Sequence, residues 1–244
     1  AVMQVESVID LSKDGDVIVL AGDCPLITTE TLENLITTHR DSNAAGSILT
    51  TIMDNPASYG RILRGTTGIV KGIKEAKDCN DEQLAINEIN TGIYCFKKQA
   101  LFSALAQITT DNAQQEYYLT DVIHILKKDG HTIASFCTEN SDEAVGINTR
   151  QDLAITNQIL YQRNNDSFMT EGVTIIDPDT TFIDSTVRIG QDSIIYPFTM
   201  IQGNTVIGRD CTIGPNSVIK DSTVSDASQL AAHTHLVDSV HVTA

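Results

Sequence analysis

The sequence has no tryptophan, few aromatic side chains (5%) and no long hydrophobic segment in its 244 residues. No run approaches the roughly 18 consecutive apolar residues that a membrane-spanning helix needs, so no membrane insertion is expected. Basic residues are also scarce: 16 Lys and Arg stand against 32 Asp and Glu, which gives a formal net charge of −16. This balance repels phosphate backbones and argues against nucleic-acid binding. It still allows a small anionic substrate, because backbone N–H groups and a metal ion can hold one locally.

The cysteines and histidines form no recognisable framework of disulfides or metal ligands. The five cysteines are scattered and include no C-x-x-C pair. This pattern argues against disulfides and structural zinc, and it favours a reducing cytoplasm. His233, His235 and His241 lie close together, but they fall within a repeat region, and we predict no metal site there.

In the first part of the chain, short apolar runs alternate with segments of helical period. The runs that predict strands cover residues 17–20, 47–52, 93–96 and 132–136. The helical segments begin after Thr28 or Thr29, near residue 101 and at Asp121, and Gly130 can end the last of them. This alternation predicts an α/β domain with a mostly parallel sheet. The continuous run at residues 17–20 predicts a buried parallel strand.

A polar segment of helical period follows at about residues 149–170. Its apolar positions are Leu153, Ile155, Ile159 and Leu160. These are few for a helix of this length, so we predict a connecting helix rather than part of a core.

From Ile183 onward the pattern repeats every six residues. Isoleucine recurs at Ile183, Ile189, Ile195, Ile201, Ile207, Ile213 and Ile219, and Gly190, Gly208 and Gly214 directly follow three of them. Small or compact side chains come four positions after the first six: Val187, Ser193, Thr199, Thr205, Cys211 and Ser217. The register then slips by one residue and resumes at Val224, Leu230, Leu236 and Val242. Neither a helix nor an alternating strand has a period of six, so this repetition predicts a solenoid of triangular coils.

Both ends of the chain favour an internal fragment of a longer protein. Residues 1–4 read as the interior of an element, and the repeat stops within a rung without the polar cap that solenoids need. We expect part of a sheet domain at residues 1–148, a linker helix at 149–172 and the first coils of a solenoid at 173–244.

Five ordered segments carry a specific resemblance. They are GDCPL at 22–26, YGRI at 59–62, EINTGI at 88–93, NAQQEYYLTD at 112–121 and VGINTR at 145–150. Together with the hexapeptides, this set resembles the bacterial bifunctional N-acetylglucosamine-1-phosphate uridyltransferase/glucosamine-1-phosphate acetyltransferase family. The resemblance covers essentially the whole chain. It implies a nucleotidyltransferase-type, Rossmann-like domain, a linker helix and a left-handed hexapeptide β-helix.

The resemblance also implies a reaction and a metal. The family transfers a uridylyl group from UTP to N-acetylglucosamine 1-phosphate, which yields UDP-N-acetylglucosamine and pyrophosphate for cell-envelope precursors. Mg²⁺ is the implied cofactor, and the family's two metal ligands match Asp23 and Asn148. From the residues alone, an Asp just after a strand is more often a turn former.

The substrate-binding positions implied by the resemblance are Gly22, Gly60, Glu75, Asn90, Thr91, Tyr118, Thr120 and Asn148. A glycine at position 60 would let the backbone approach the sugar, and a carboxylate at 75 could accept hydrogen bonds from sugar hydroxyls. Each has an ordinary alternative: Tyr118 as a core aromatic, Glu75 as a surface carboxylate, and Asn90 as a turn residue.

Other implied features fall outside these positions. The family's Gly-rich triphosphate loop and uracil-reading segment would precede Ala1, and its acetyltransferase site would follow Ala244. We therefore assign no acetyl-CoA or catalytic residues, and we expect this fragment alone to transfer no uridylyl group. Ala21 stands where some relatives have an aromatic residue. The family's implied assembly is a homotrimer through the β-helix.

Two other functions remain open from the sequence. One is a related nucleotidyltransferase that uses another sugar phosphate or nucleotide. The other is a non-catalytic scaffold or regulatory subunit with the same two-part plan, although the retained sugar-site set disfavours it.

Overall fold

The computed structural model describes residues 1–112 and 114–241. The chain divides into two compact units, Ala1–Asn148 and Thr149–Ala244.

The first unit is a six-stranded sheet with helices. Its strands are β1 (Asp16–Val19), β2 (Gly46–Ile52), β3 (Arg61–Arg64), β4 (Val70–Lys74), β5 (Glu88–Lys97) and β6 (Ile133–Thr138). Its helices are α1 (Thr29–Asp41), α2 (Asp81–Leu84), α3 (Lys98–Leu105) and α4 (Asp121–Lys128). The four predicted strands and three predicted helices are confirmed, whereas β3, β4 and the one-turn helix α2 were not predicted.

The prediction of a mostly parallel sheet is wrong. The strand order is β4-β3-β5-β2-β6, and β1 pairs with the long strand β5. Among the described strands of this unit, only β2 and β6 pair in parallel; β5 runs antiparallel to β1, β2 and β3. The reason lies between β2 and β5, where the chain forms the antiparallel β3–β4 hairpin instead of a long crossover helix. β3 runs in the direction of β2, the hairpin reverses the chain, and β5 then runs in the same direction as β4, so β5 lies antiparallel to β2.

The prediction of a buried parallel strand at residues 17–20 is also wrong. Strand β1 pairs antiparallel with β5, and alternate side chains face solvent, with Ile18 38% exposed. The run is apolar along its whole length, but only Val17 and Val19 pack against the main core. Burial therefore follows the strand's alternation rather than its composition.

Local signals at the helix ends agree with the sequence. Thr28 caps α1 by accepting a hydrogen bond from the Thr31 backbone N–H at 3.2 Å. Gly130 has φ of +83° just beyond the end of α4, in the left-handed conformation that glycine tolerates best. The main core lies between the sheet and the helices α3 and α4, where the Tyr94 and Phe96 rings stack with centroids 5.5 Å apart.

The second unit begins with α5 (Arg150–Thr170) and continues as a solenoid. Its short strands form three parallel sheets of four strands each, which makes four coils. The strands are β7 (Thr174–Ile175), β8 (Phe182–Ile183), β9 (Arg188–Ile189), β10 (Ile194–Ile195), β11 (Met200–Gln202), β12 (Val206–Ile207), β13 (Thr212–Ile213), β14 (Val218–Lys220), β15 (Thr223–Val224), β16 (Gln229–Leu230), β17 (His235–Val237) and β18 (Val240–His241). The parallel solenoid is confirmed; its left-handed twist stays a prediction.

The six-residue pattern matches the core of the solenoid. All seven predicted isoleucines lie in or against one apolar cluster, and the small residues four positions later are buried as well. Ile201 aligns with Ile219, 18 residues later, whereas Ile207 aligns with Val224, 17 residues later. The predicted slip is therefore confirmed.

The slip arises at one corner of the coil. The corner after Ile201 contains Gly203 and Asn204, and the next coil replaces it with a shorter turn at Asp221, which has φ of +46°. The same short turn recurs at Asp238, with φ of +49°. The predicted rung residue Val242 lies outside the described residues, and the backbone at His241 is the position that pairs with Val224.

Candidate active site

Six strand ends meet at one edge of the first unit's sheet. Strands β1, β2 and β6 run in the same direction, so their carboxyl ends lie at this edge, and the first half of antiparallel β5 lies there too. The start of β3 and the end of β4 are paired beside it. Open α/β sheets bind ligands at the carboxyl ends of their strands, so this edge is the expected place for a site.

A cavity of about 310 Å³ opens at this edge. Its lining residues are Ala21, Asp23, Cys24, Ser58, Tyr59, Gly60, Glu75, Asn90, Thr91, Gly92, Gly146 and Asn148. Six of the nine predicted site residues are among them: Asp23, Gly60, Glu75, Asn90, Thr91 and Asn148. The structure thus brings together residues from five separate segments of the sequence.

A bulge in β5 shapes the floor of the cavity. Ile48 of β2 pairs with Tyr94 of β5, and Thr50 pairs with Asn90. The segment of β5 between these two pairs is therefore longer than the matching segment of β2. Gly92 sits in the bulge with φ of +80°, a conformation that favours glycine. Extra residues in one strand release its backbone from the ladder and re-aim its side chains, which explains how strand residues come to line a cavity.

The bulge also fixes Asn90 and Thr91. The Asn90 amide donates to the Tyr94 hydroxyl at 2.7 Å, and its oxygen accepts from the Gly92 backbone N–H at 3.3 Å. The Thr91 hydroxyl donates to the Leu49 carbonyl at 2.8 Å, so this side chain is committed to the fold. The same hydroxyl also accepts from the Ile93 N–H at 3.2 Å, so the Thr91 side chain is occupied by hydrogen bonds within the protein.

Gly60 and Glu75 face each other across the β3–β4 pair. A Cβ added at Gly60 would lie 3.4 Å from the Lys74 carbonyl oxygen and 3.5 Å from Glu75 Oε2. Any larger side chain at Gly60 would crowd the carboxylate, and the predicted close approach of the sugar to the Gly60 backbone stays a prediction. Burial raises the pKa of the Glu75 carboxyl, and the nearby Asp78 and Asp121 raise it further, while the Thr120 hydroxyl, 3.1 Å from Oε1, opposes the shift.

Tyr118 and Thr120 lie in a neighbouring cavity of about 450 Å³, and Glu75 lines both cavities. The Tyr118 hydroxyl is buried and has no hydrogen-bond partner among the described residues. This differs from a core tyrosine with a satisfied hydroxyl. Gly22, the remaining predicted residue, is exposed next to Asp23 and does not line either cavity, and a Cβ added there would have no atom within 4 Å.

Both predicted metal ligands lie close to Gly146. A Cβ added there would be 3.3 Å from Asp23 Oδ2 and 3.7 Å from Asn148 Nδ2. The backbone joins the two segments directly, because the Ile147 N–H donates to the Asp23 carbonyl at 2.9 Å. A carboxylate and an amide oxygen are hard ligands of the kind Mg²⁺ takes, with substrate phosphates and water completing its shell. The donor set therefore fits this ion.

A soft metal is a poorer fit at the same place. Burial, then the charge of Asp23, raises the pKa of the Cys24 thiol to about 11, so the thiol stays protonated near neutral pH. Within the described ranges, no group of three or more His, Cys, Asp and Glu side chains is arranged to hold a metal. A cation at Asp23 and Asn148 would thus depend on substrate oxygens as well.

Sequence reasoning assigned no role to three residues that organise the site, namely Tyr59, Arg61 and Gly146. The Tyr59 hydroxyl donates to the Ala144 carbonyl at 3.2 Å and accepts from the Gly146 backbone N–H at 3.3 Å. Arg61 is 3% exposed, and its guanidinium donates to the backbone carbonyls of Tyr59, Ala57 and Leu84. Tyr59 and Gly146 both belong to the segments of the resemblance, but nothing local in the sequence indicates that they meet.

Comparisons with known proteins agree with this architecture. Residues 1–157 match the family model described as nucleotidyl transferase, and residues 186–221 match the model described as bacterial transferase hexapeptide (six repeats). No helix in the described part of the chain is long and apolar enough to cross a membrane.

The most similar curated relatives include three proteins named "Bifunctional protein GlmU". The one from Latilactobacillus sakei is 47% identical over 96% of this chain and 50% of its own length. The one from Enterococcus faecalis is 47% identical over 98% of this chain and 48% of its own length. The one from Clostridium tetani is 50% identical over 80% of this chain and 43% of its own length. The chain thus spans about half the length of the curated relatives it matches, and it belongs to the nucleotidyl transferase family, with bacterial transferase hexapeptide repeats in its second unit.

Proposed function

We propose that the first unit takes part in Mg²⁺-dependent uridylyl transfer from UTP to N-acetylglucosamine 1-phosphate, which gives UDP-N-acetylglucosamine and pyrophosphate. The observation that carries the proposal is the single cavity that joins the Asp23–Asn148 pair to Gly60, Glu75 and Asn90. The similarity to the GlmU proteins supports the choice of substrates, and membership of the nucleotidyl transferase family supports the reaction type.

The chemistry requires two anions to be held together. A phosphate oxygen of the sugar 1-phosphate attacks the α-phosphorus of UTP, forming a new P–O bond as the bond to the leaving pyrophosphate breaks. Mg²⁺, when bound through Asp23 and Asn148, supplies positive charge that offsets the phosphate charges. The protein must hold these two side chains close together, and the hydrogen bond from the Ile147 N–H to the Asp23 carbonyl helps to do so.

The rest of the cavity suits the sugar. Gly60 leaves space for a ring beside its backbone, and the Glu75 carboxylate can accept hydrogen bonds from hydroxyl groups. Asn90 uses one N–H on Tyr94, which leaves its second N–H to donate to an acyl or hydroxyl oxygen. Tyr118 and Thr120 extend this surface on the far side of Glu75.

Further proposals concern the complete protein. By analogy with the GlmU relatives, we propose a second, acetyl-CoA-dependent acetyl transfer to glucosamine 1-phosphate, a homotrimer formed through the solenoid, and a cytoplasmic location. No residue of this chain is assigned to acetyl transfer.

The test is pyrophosphate release by the protein expressed from its complete reading frame. With UTP and Mg²⁺, N-acetylglucosamine 1-phosphate is expected to be the better substrate and glucose 1-phosphate the poorer one, and a chelator should stop the reaction. Asn90→Ala should raise KM for the sugar phosphate. Asn87→Ala, at the exposed position just before β5, should not. A clear preference for another sugar phosphate or nucleotide would favour a related nucleotidyltransferase. No pyrophosphate release with any donor would favour the scaffold alternative.

A further inference from the structure

One loop of the first unit carries the proposed metal ligand Asn148 but belongs to no strand or α-helix. It runs from a short 3₁₀ turn (Ser141–Ala144) to Asn148. Its position is set by hydrogen bonds to sequence-distant segments, which makes those partners candidates for controlling the metal site.

The first set of attachments runs to the segment that follows Asp23. The Ile147 N–H donates to the Asp23 carbonyl at 2.9 Å. The Thr28 hydroxyl donates to Glu143 Oε1 at 3.1 Å, and Glu143 is only 4% exposed. These contacts hold the start of the loop and the residue before Asn148 against the Asp23 side of the cavity.

The second attachment is a single hydroxyl group from a third segment. The Tyr59 hydroxyl donates to the Ala144 carbonyl and accepts from the Gly146 N–H, so it closes a ring across three consecutive loop residues. Gly146 is the residue whose Cα faces both Asp23 Oδ2 and Asn148 Nδ2. A shift of Gly146 would therefore alter the separation of the two proposed ligands.

The Tyr59 backbone is itself anchored. The buried Arg61 guanidinium donates to the Tyr59 and Ala57 carbonyls, and the Tyr59 N–H donates to the Pro56 carbonyl at 3.0 Å. Gly60, which lines the sugar side of the cavity, follows directly in this braced segment, and its carbonyl accepts from the Asn90 N–H at 2.8 Å. Tyr59 thus connects the rigid sugar side to the loop on the metal side.

We infer that Tyr59 is a positioning residue for the metal site, whose hydroxyl sets the geometry of Asp23 and Asn148 by holding the backbone of Gly146. The inference rests on the proposed Mg²⁺-dependent function. Partners that orient metal ligands typically change metal affinity about 10–100-fold when removed, and Tyr59 acts one bond further out, so roughly a tenfold effect is expected.

The experiment uses Tyr59→Phe in the protein expressed from its complete reading frame, with Mn²⁺ as the paramagnetic probe. Mn²⁺ binding, followed by electron paramagnetic resonance, should weaken about tenfold, and hydrogen exchange at the Gly146 amide should accelerate. In the pyrophosphate assay the Mg²⁺ concentration for half-maximal rate should rise similarly, while kcat at saturating Mg²⁺ and KM for the sugar phosphate should stay within about twofold. Tyr117→Phe, at a site 63% exposed, is the matched control and should leave all five values unchanged.

The outcomes separate this inference from the function on which it rests. Unchanged Mn²⁺ affinity and Gly146 exchange in Tyr59→Phe would overturn the inference, and so would a loss of kcat that saturating Mg²⁺ does not restore. Asp23→Asn reports on the function: if the wild-type protein needs Mg²⁺ and Asp23→Asn removes Mn²⁺ binding, the proposed metal site stands whatever Tyr59→Phe does. If the wild-type protein releases no pyrophosphate, the function fails, and loss of Mn²⁺ affinity in Tyr59→Phe still decides the role of Tyr59.

Discussion

The stacking of the solenoid coils makes Gly190→Ala a severe substitution. A Cβ at Gly190 would lie 2.6 Å from the Arg209 backbone nitrogen and 2.7 Å from the Gly208 carbonyl carbon and oxygen. Ordinary Cβ contacts begin at about 3.4 Å, and the neighbours are backbone atoms of the next coil, so no side-chain rotation can relieve the overlap. Two coils must move apart or tilt.

The magnitude follows from three terms. Overpacking of this kind costs about 1–3 kcal/mol. Separation of the coils weakens the bond from the Gly190 N–H to the Ile207 carbonyl, now 2.9 Å, at about 1 kcal/mol. Replacing glycine stabilises by about 0.4–1 kcal/mol through the unfolded chain. The net loss is about 2 kcal/mol, which corresponds to roughly 8–16 °C in the melting temperature of a unit of this size.

The assay is thermal unfolding by circular dichroism, combined with hydrogen exchange of peptides from residues 173–241 to assign the loss to the solenoid. Gly15→Ala is the control, because a Cβ at Gly15 has no atom within 4 Å. It should change the melting temperature little. A Gly190→Ala protein that melts with the wild type would refute the reasoning, since it would mean that the coils separate at negligible cost.

Three further substitutions test other parts of the structure. Asp23→Ala should abolish Mg²⁺-dependent pyrophosphate release by the protein from the complete reading frame while its melting curve stays unchanged, with Asp14→Ala as the control; full turnover would remove Asp23 from the metal site. Because the folded-state pKa of Glu75 is raised, ionisation of Glu75 opposes folding, so its destabilising effect appears as pH rises through that pKa. Glu75→Gln should accordingly be more stable than the wild type at pH 7 and should lose this advantage below about pH 4. A higher melting temperature of the wild type at pH 7 would contradict this expectation. Asn165→Ala removes a fully buried amide that donates to the Pro178 and Thr181 carbonyls, so denaturant titration should give a loss of about 2–3 kcal/mol. The exposed Asn157→Ala should lose almost nothing, and equal losses would mean that these buried hydrogen bonds add no stability of their own.

The solenoid was the part most fully predictable from sequence, because each coil repeats the same local requirement. An inward aliphatic side chain recurs at every sixth position, and the strands that it creates pair with the neighbouring coil. Even the slip at Val224 is visible, since it shifts Leu230 and Leu236 by one position as well. A short pattern that repeats along the chain determines which residues of neighbouring coils pair with each other.

The direction of the strands in the first unit was less accessible. Apolar content marks residues 93–96 as a strand, but strand direction depends on what the chain does beforehand, and the β3–β4 hairpin is a weak signal. Its strands are short and contain charged residues such as Arg61, Lys71 and Lys74. The bulge at Gly92 is equally non-local, because it exists only relative to β2.

The candidate site divides in the same way. Asp23, Gly60 and Asn148 stand in recognisable segments, whereas the link between Tyr59 and Gly146 joins positions 87 residues apart and has no sequence signature of its own. The resemblance predicted the residues that a ligand would meet in the proposed function. The residues that hold them in place became visible only through hydrogen bonds.

The acidic balance of the chain bears directly on the proposed chemistry. Among its described lining residues the cavity has two carboxylates, Asp23 and Glu75, and no Lys or Arg. A nucleoside triphosphate and a sugar phosphate placed there would add further negative charge at short range, where repulsion is strong because the cavity is partly shielded from water. The raised pKa of Glu75 already reflects such a neighbourhood, since Asp78 and Asp121 add to the effect of burial. In the proposed reaction, a cation held by Asp23 and Asn148 would offset these negative charges, because the described lining residues include no Lys or Arg.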